Sequence, residues 1–246
     1  MKHNRLPCRR VAFLIFACMT ALLPAIAQSQ PADTLAKAPV KHWCFGITGG
    51  IGRNYHNVDM VYMTDMRFDN YSPGSVVGLR LAYAPVSWLS INTGAVLIQK
   101  NYKMDHVFEY YNLRYGLTTS ATNNYINVPL ELRFSLGRKV KIHGFGGVFG
   151  GYWLSGHRTG TTYSFSNERY YDVDEDWEFN DKRDNRLETG LTWGAGLSGV
   201  IIGRIEIGAD IRWYYSTSDI QKPYMVNLNP RYNTTVAVQA SLSYWL

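Results

Sequence analysis

Cysteine is almost missing from this chain. Of its three cysteines, Cys8 and Cys18 lie in the first twenty residues and only Cys44 follows. One remaining thiol cannot close an internal disulfide, and a cysteine-based metal centre has no ligands to draw on. Long apolar runs are equally scarce. Beyond the first 27 residues no stretch is long enough to cross a bilayer as a helix, so any membrane crossing must be made by strands. Helical periodicity is missing too, and no amphipathic three-to-four repeat competes with the alternation described below.

The one apolar run that exists opens the sequence. Lys2, Arg5, Arg9 and Arg10 form a basic leader, Val11 to Leu23 is largely apolar, and Ala25-Ile26-Ala27 offers a cleavage site before Gln28. This predicts a signal peptide over 1–27 and, from the Pro- and Ala-bearing residues 28–42, a short periplasmic lead-in. A membrane-spanning helix and a lipid anchor at Cys18 fit less well, because "QSQPADT" turns polar and Cys18 lacks a suitable context. Removing the leader takes four of the 25 basic residues and none of the 19 acidic ones, so the net charge falls from +6 to +2. No basic stripe survives to bind nucleic acid.

What is present is alternation. In "RIEIGADIRWYY" (204–215), Arg204, Glu206, Gly208, Asp210 and Arg212 share one parity, and Ile205, Ile207, Ala209, Ile211 and Trp213 share the other. Helical spacing would scatter these isoleucines around an axis, whereas a strand collects them on one face. Similar segments are predicted at 43–56, 75–86, 88–104, 123–136, 140–156, 187–202 and 232–246, giving eight strands. The strand 140–156, "VKIHGFGGVFGGYW…", is so glycine-rich that its facing stays open.

The connections alternate long and short: 57–74 long, 86–87 tight, 105–122 long, 137–139 tight, 157–186 long, 203 tight, 219–231 long. A soluble sandwich has no reason to gather every long loop at one end, but a transmembrane barrel with both termini on its periplasmic side does. The expected architecture is therefore all-β, an eight-stranded antiparallel up-and-down transmembrane barrel over 43–246. The eighteen tyrosines and seven tryptophans suit its interfacial girdles. Facing then follows from energetics. A mid-depth arginine turned to lipid costs about 2–4 kcal/mol, and several such errors would rival a total stability of roughly 5–15 kcal/mol. The charged parity is expected inside, with Arg80, Glu131, Arg133, Glu188, Arg204, Glu206, Asp210 and Arg212 forming a paired interior network. An eight-stranded barrel is only wide enough for side chains to fill, which argues against a general diffusion pore.

Three stretches carry a family resemblance. "NNYINVPLELRF" (123–134), "SWLSINTGAVLIQKNYKM" (87–104) and "HGFGGVFGGYWLSG" (143–156) resemble strands of the PorT-like outer-membrane β-barrel family. The likeness runs over about 43–246 and is strongest in 75–156. It implies a small, porin-like barrel of Gram-negative bacteria and brings no catalytic or ligand residues; an outer-membrane location makes outer-membrane lipid, lipopolysaccharide and the barrel-assembly machinery the expected partners. The terminal "SLSYWL" has the alternation of an assembly signal but closes on Leu246, where an aromatic residue is usual.

Other motifs invite chemistry. "GAGLSG" (194–199) satisfies the dinucleotide fingerprint, but that fingerprint needs a helix after its glycines and a strand is expected here. In "YYDVDEDWEFND" (170–181), Asp172, Asp174, Asp176 and Glu178 share a parity; the first reading is a solvated loop partly offset by Lys182, Arg183 and Arg186, and a surface cation site on the four carboxylates is the alternative. Trp177 stands where a calcium loop requires glycine, which removes the EF-hand reading. His56, His106, His143 and His157, with Ser155 close to the last, keep a lipid-modifying hydrolase in view without any diagnostic spacing. A narrow solute channel is the third option. The expectation drawn from all of this is a non-enzymatic barrel, needing no cofactor or metal, whose loops serve binding, adhesion or envelope integrity.

Overall fold

A computed structural model describes residues 43–58, 66–69, 72–110, 113–164, 169–222 and 231–246. The expected leader and lead-in, 1–42, lie outside the described residues. Eleven strands follow in chain order: β1 (Trp43–Val58), β2 (Met66–Asp69), β3 (Pro73–Val86), β4 (Leu89–Gln99), β5 (Tyr102–Tyr110), β6 (Leu113–Gly137), β7 (Val140–Ser164), β8 (Arg169–Asp176), β9 (Leu187–Ile202), β10 (Ile205–Ser216) and β11 (Arg231–Trp245). Eight of them close a ring in the order β1-β3-β4-β6-β7-β9-β10-β11, and β11 pairs back onto β1 over fifteen rows from Cys44↔Trp245 to Val58↔Arg231. Every pairing is antiparallel.

The alternation sets the two faces. On β1, Trp43, Phe45, Ile47 and Ile51 are exposed on the outside, while Cys44 is buried within; on β10, Ile205, Ile207 and Ile211 are exposed while Glu206 and Asp210 are buried. This molecule is apolar outside and polar inside, which only a hydrocarbon surrounding stabilises. Aromatic rings edge the apolar belt. Trp43 packs on Tyr83 and Trp88 on Phe134 at the short-turn end, and Trp193 approaches Tyr215 at the other. Ten residue steps separate Trp43 from Arg53, and at about 3.3 Å per step and a tilt near 40° they cover about 25 Å, the height of a barrel's lipid-facing band.

The glycine-rich strand β7, whose facing the sequence left open, turns its odd positions inward: His143, Phe145, Phe149 and Trp153 are buried, and Ile142, Val148, Tyr152 and Leu154 face out. Large rings fit on the interior because β9 offers glycines opposite them. A Cβ at Gly194 would strike Phe145, and one at Gly190 would strike Phe149.

Two features differ from the sequence expectation. Parts of the connections expected as loops at 57–74, 105–122 and 157–186 are strands. β6 and β7 run on together for 25 residues each, and β5, β2 and β8 join them to make a sheet in the order β2-β5-β6-β7-β8 beyond the ring. "LTTSAT" and "RTGTTY" are rich in β-branched and aromatic residues, which favour strands. They lack the apolar face on which the alternation test depends. The strand expected over 88–104 also breaks at Lys100 and Asn101, where the chain passes from β4 to β5.

Candidate functional site: the charged lumen and the surface ribbon

The interior charges stand in two groups along the lumen. Toward the short-turn end, Arg133 of β6 lies 3.9 Å from Glu206 of β10 and its Nη2 is 2.7 Å from His143 Nδ1 and 3.1 Å from Ser198 Oγ. Glu206 also accepts a hydrogen bond from Trp245 Nε1 at 3.0 Å. Beside this pair, Arg212 donates to Glu131 at 2.8 Å and lies 3.5 Å from Asp210, Thr192 donates to Glu131 at 3.1 Å, and the Arg212 guanidinium covers the Phe145 ring at 4.4 Å. Arg80 donates to Asn92 Oδ1 at 3.2 Å. Pairing oppositely charged neighbours inside the ring offsets part of what they lose in hydration, and leaves each of them dependent on its partner.

Toward the ribbon end, Glu188 does not join these arginines. It pairs with Lys100, a residue that no alternation marks, and both are almost completely shielded, at 1% and 2% side-chain exposure. The Lys100 ammonium also sits 4.4 Å above the Tyr125 ring and 5.6 Å from that of Phe149. Tyr125 stacks on Trp153 at 5.7 Å, Phe149 meets Tyr214 edge-on at 5.4 Å, and Asn233, Asn54 and Thr235 link by hydrogen bonds behind Glu188. Together these groups fill the lumen at this level. The signal for Lys100 was faint because it falls at the β4–β5 break, where parity fails; its amide still reaches the Asn123 carbonyl at 2.7 Å.

Arg204 is the exception among the expected interior residues. It is exposed on the β9–β10 turn beside Gly203, whose φ of 54° makes the reversal, so the strand that carries the inward parity begins one residue later. Arg204 therefore belongs to the rim, and among the described residues it pairs with no interior acid.

On the ribbon, Asp172, Asp174 and Asp176 line one side of β8 and Glu178 follows the strand's end, all exposed. The imidazole of His157 on β7 stands between two of them, with Nε2 2.9 Å from Asp174 and Nδ1 2.9 Å from Asp176. The hydrogen bond to Asp176, reinforced by Asp174, holds His157 above its ordinary pKa. Arg158 meets Glu175 at 2.6 Å on the other side of the strands. Among the described residues no cluster of three or more His, Cys, Asp or Glu is placed to hold a metal ion. Below β8, burial pushes the Asp184 carboxyl up, but hydrogen bonds from Arg183, the Asn180 amide and Trp177 outweigh it and bring it below the usual value. Ser155 accepts a hydrogen bond from Asn124 at 3.0 Å, while both nitrogens of His157 are engaged with carboxylates. His56 and His143 face the lumen, and the His106 side chain lies outside the described residues. The "GAGLSG" glycines sit wholly within β9.

Residues 26–222 match the family model described as outer membrane protein beta-barrel domain. No curated protein matches the chain. Among solved structures it is similar to OprG from Pseudomonas aeruginosa, with 11% identity, 84% of this chain and 98% of that one covered, and a TM-score of 0.46. It is also similar to Neisserial surface protein A, at 7% identity, 82% and 97% coverage and a TM-score of 0.41. A third is the attachment invasion locus protein Ail of Yersinia pestis, at 16% identity, 83% and 100% coverage and a TM-score of 0.37.

Proposed function

This chain belongs to the outer membrane protein beta-barrel domain family, and from that premise we propose that it acts as a non-enzymatic membrane anchor whose protruding sheet binds at the cell surface, in adhesion or in envelope integrity. The observation that carries this reading is the contrast between a lumen filled by the Lys100–Glu188 and arginine–carboxylate groups and a ribbon that displays Tyr170, Tyr171 and a row of carboxylates to solvent. A filled lumen supports anchoring over transport, and exposed aromatic and acidic side chains on paired strands supply a binding surface that is held in place. In this reading residues 1–27 are the cleaved leader, 28–42 lead in from the periplasm, the short turns and both termini are periplasmic, and the β2-β5-β6-β7-β8 sheet is extracellular. Outer-membrane lipid, lipopolysaccharide and the assembly machinery are its partners, and the PorT-like group is its narrower kin.

The hydrolase alternative has little support, since Ser155 and His157 each bond elsewhere. Planar-bilayer recording of the refolded chain tests the choice between anchor and channel. No sustained conductance steps are expected, and reproducible open steps in the unmodified protein would transfer the function to transport.

A further inference from the structure

The two ends of the barrel treat their charges differently. At the ribbon end several basic side chains meet acids, as Arg158 meets Glu175 and Arg183 meets Asp184, while Arg186 lies on the Trp153 carbonyl and the Phe179 ring. At the short-turn end, Arg138, Lys139, Lys141 and Arg204 form no ion pair among the described residues, and the one acidic side chain there, Glu206, is buried in the lumen with Arg133 and Trp245, while the Leu246 carboxylate follows Trp245, whose N–H donates to the Arg204 carbonyl at 2.9 Å. Three of these cations occupy one corner. The β6–β7 turn carries Arg138 and Lys139, the next hairpin carries Arg204, and the β7–β9 pairing Val140↔Gly199 brings Gly199 against the Lys139 carbonyl.

The same corner is unusually apolar. Val200, Ile201 and Ile202 are all exposed, at 42%, 57% and 73%, although successive residues of a strand point to opposite faces. Elsewhere on the barrel's strands an exposed aliphatic residue alternates with an enclosed one. Here the β9–β10 tip is bare on both sides, and Leu136, Val140 and Ile142 extend the patch on the adjoining strands.

We propose that this corner is a docking site for an anionic phospholipid of the inner, periplasmic leaflet. Arg138, Lys139 and Arg204 receive the headgroup phosphate while the Val200–Ile202 tip and its neighbours pack among the acyl chains. The proposal rests on the orientation given under Proposed function. Cations without acids beside an apolar tip match a ligand that is anionic at one end and hydrocarbon at the other. A second copy of the chain would set these cations against one another, and a water-soluble anion would leave the tip bare.

The refolded full chain, inserted in phosphatidylcholine vesicles containing brominated phosphatidylglycerol, tests the site. Trp88 reports it, because its exposed ring stacks on Phe134 of β6 at 6.1 Å, two positions before Leu136 of the patch. The signal is the quenching that Trp88→Phe removes. In low salt, phosphatidylglycerol is expected at the site about five-fold or more above its bulk fraction, since each interfacial cation near an anionic surface contributes about 1 kcal/mol, a factor of about five. The preference should fall toward one in Arg138→Gln/Lys139→Gln/Arg204→Gln and in high salt. It should persist in Arg158→Gln and in the presence of inorganic phosphate. Unchanged enrichment in the triple variant overturns the proposal, as does displacement of the brominated lipid by lipid A. Failure of the chain to insert, seen as an unshifted band when unboiled samples are run in SDS, counts against the membrane orientation itself rather than against this corner.

Discussion

Replacing Glu188 by alanine should be among the most damaging single changes available inside the barrel. The substitution strands the Lys100 ammonium where both partners now have 1% and 2% exposure, with the Tyr125 and Phe149 rings around it. At an effective dielectric near 20, a contact ion pair contributes about 4 kcal/mol, and breaking one buried partner of such a pair typically costs about 3–5 kcal/mol. Against a total of roughly 5–15 kcal/mol, that loss is severe. The assay is reversible urea unfolding in detergent micelles, followed by tryptophan fluorescence. Glu188→Ala should lose about 3–5 kcal/mol, and Lys100→Met/Glu188→Leu should recover most of it, because two apolar side chains leave no charge unpaired. A loss under 1 kcal/mol, or a double variant no more stable than the single, would refute the claim that this pair closes the lumen.

Three further outcomes follow from the same geometry. Ile207→Arg places a charge on the lipid-facing side of β10 and should block assembly, at a cost of about 2–4 kcal/mol, whereas Thr161→Arg on the ribbon should assemble normally by the boiled-versus-unboiled band shift. Gly194→Val should destabilise by about 1–3 kcal/mol because its side chain meets the Ile211 carbonyl as well as the Phe145 ring, and Phe145→Ala should relieve only the share due to the ring in the same urea assay. His157, held above its ordinary value by Asp176 and Asp174, should tighten the β7–β8 ribbon at low pH: protonated, it donates to both acids, so the stabilisation is full below the unfolded pKa and is lost as pH rises through the higher folded one. The protection of β8 amides, measured as exchange relative to the intrinsic rate at each pH, should therefore rise on acidification from pH 8 to pH 6, and His157→Gln should abolish that rise.

The ring was legible because every lipid-facing strand has to expose its apolar parity and enclose the other. That rule leaves a period of two in "RIEIGADIRW" and in "TVAVQASLSYW" that survives without any partner strand. The arginine group was legible for the same reason, since Arg133, Glu131, Asp210 and Arg212 sit on regular strands. Lys100 was not, because it occupies a break in the ladder where parity carries no information. Arg204 was misplaced by one residue at a turn, where facing is set by φ and not by alternation. The interior rings of β7 were hidden because their room is supplied by Gly190 and Gly194 on a different strand, a relation that only pairing reveals. The ribbon was read as loop because water bathes it, and a strand solvated on both faces has no apolar period to show.

The inside-out arrangement is tested most directly by spin-labelling single cysteines placed in turn at 205–212, in a Cys8→Ser/Cys18→Ser/Cys44→Ser background reconstituted in lipid vesicles. Labels at Ile205, Ile207, Ala209 and Ile211 should collide readily with oxygen dissolved in the bilayer, and labels at Glu206, Gly208, Asp210 and Arg212 should not, giving a period of two. Accessibility in the opposite phase, or with no period at all, would contradict a barrel that turns its isoleucines to lipid and its charges inward.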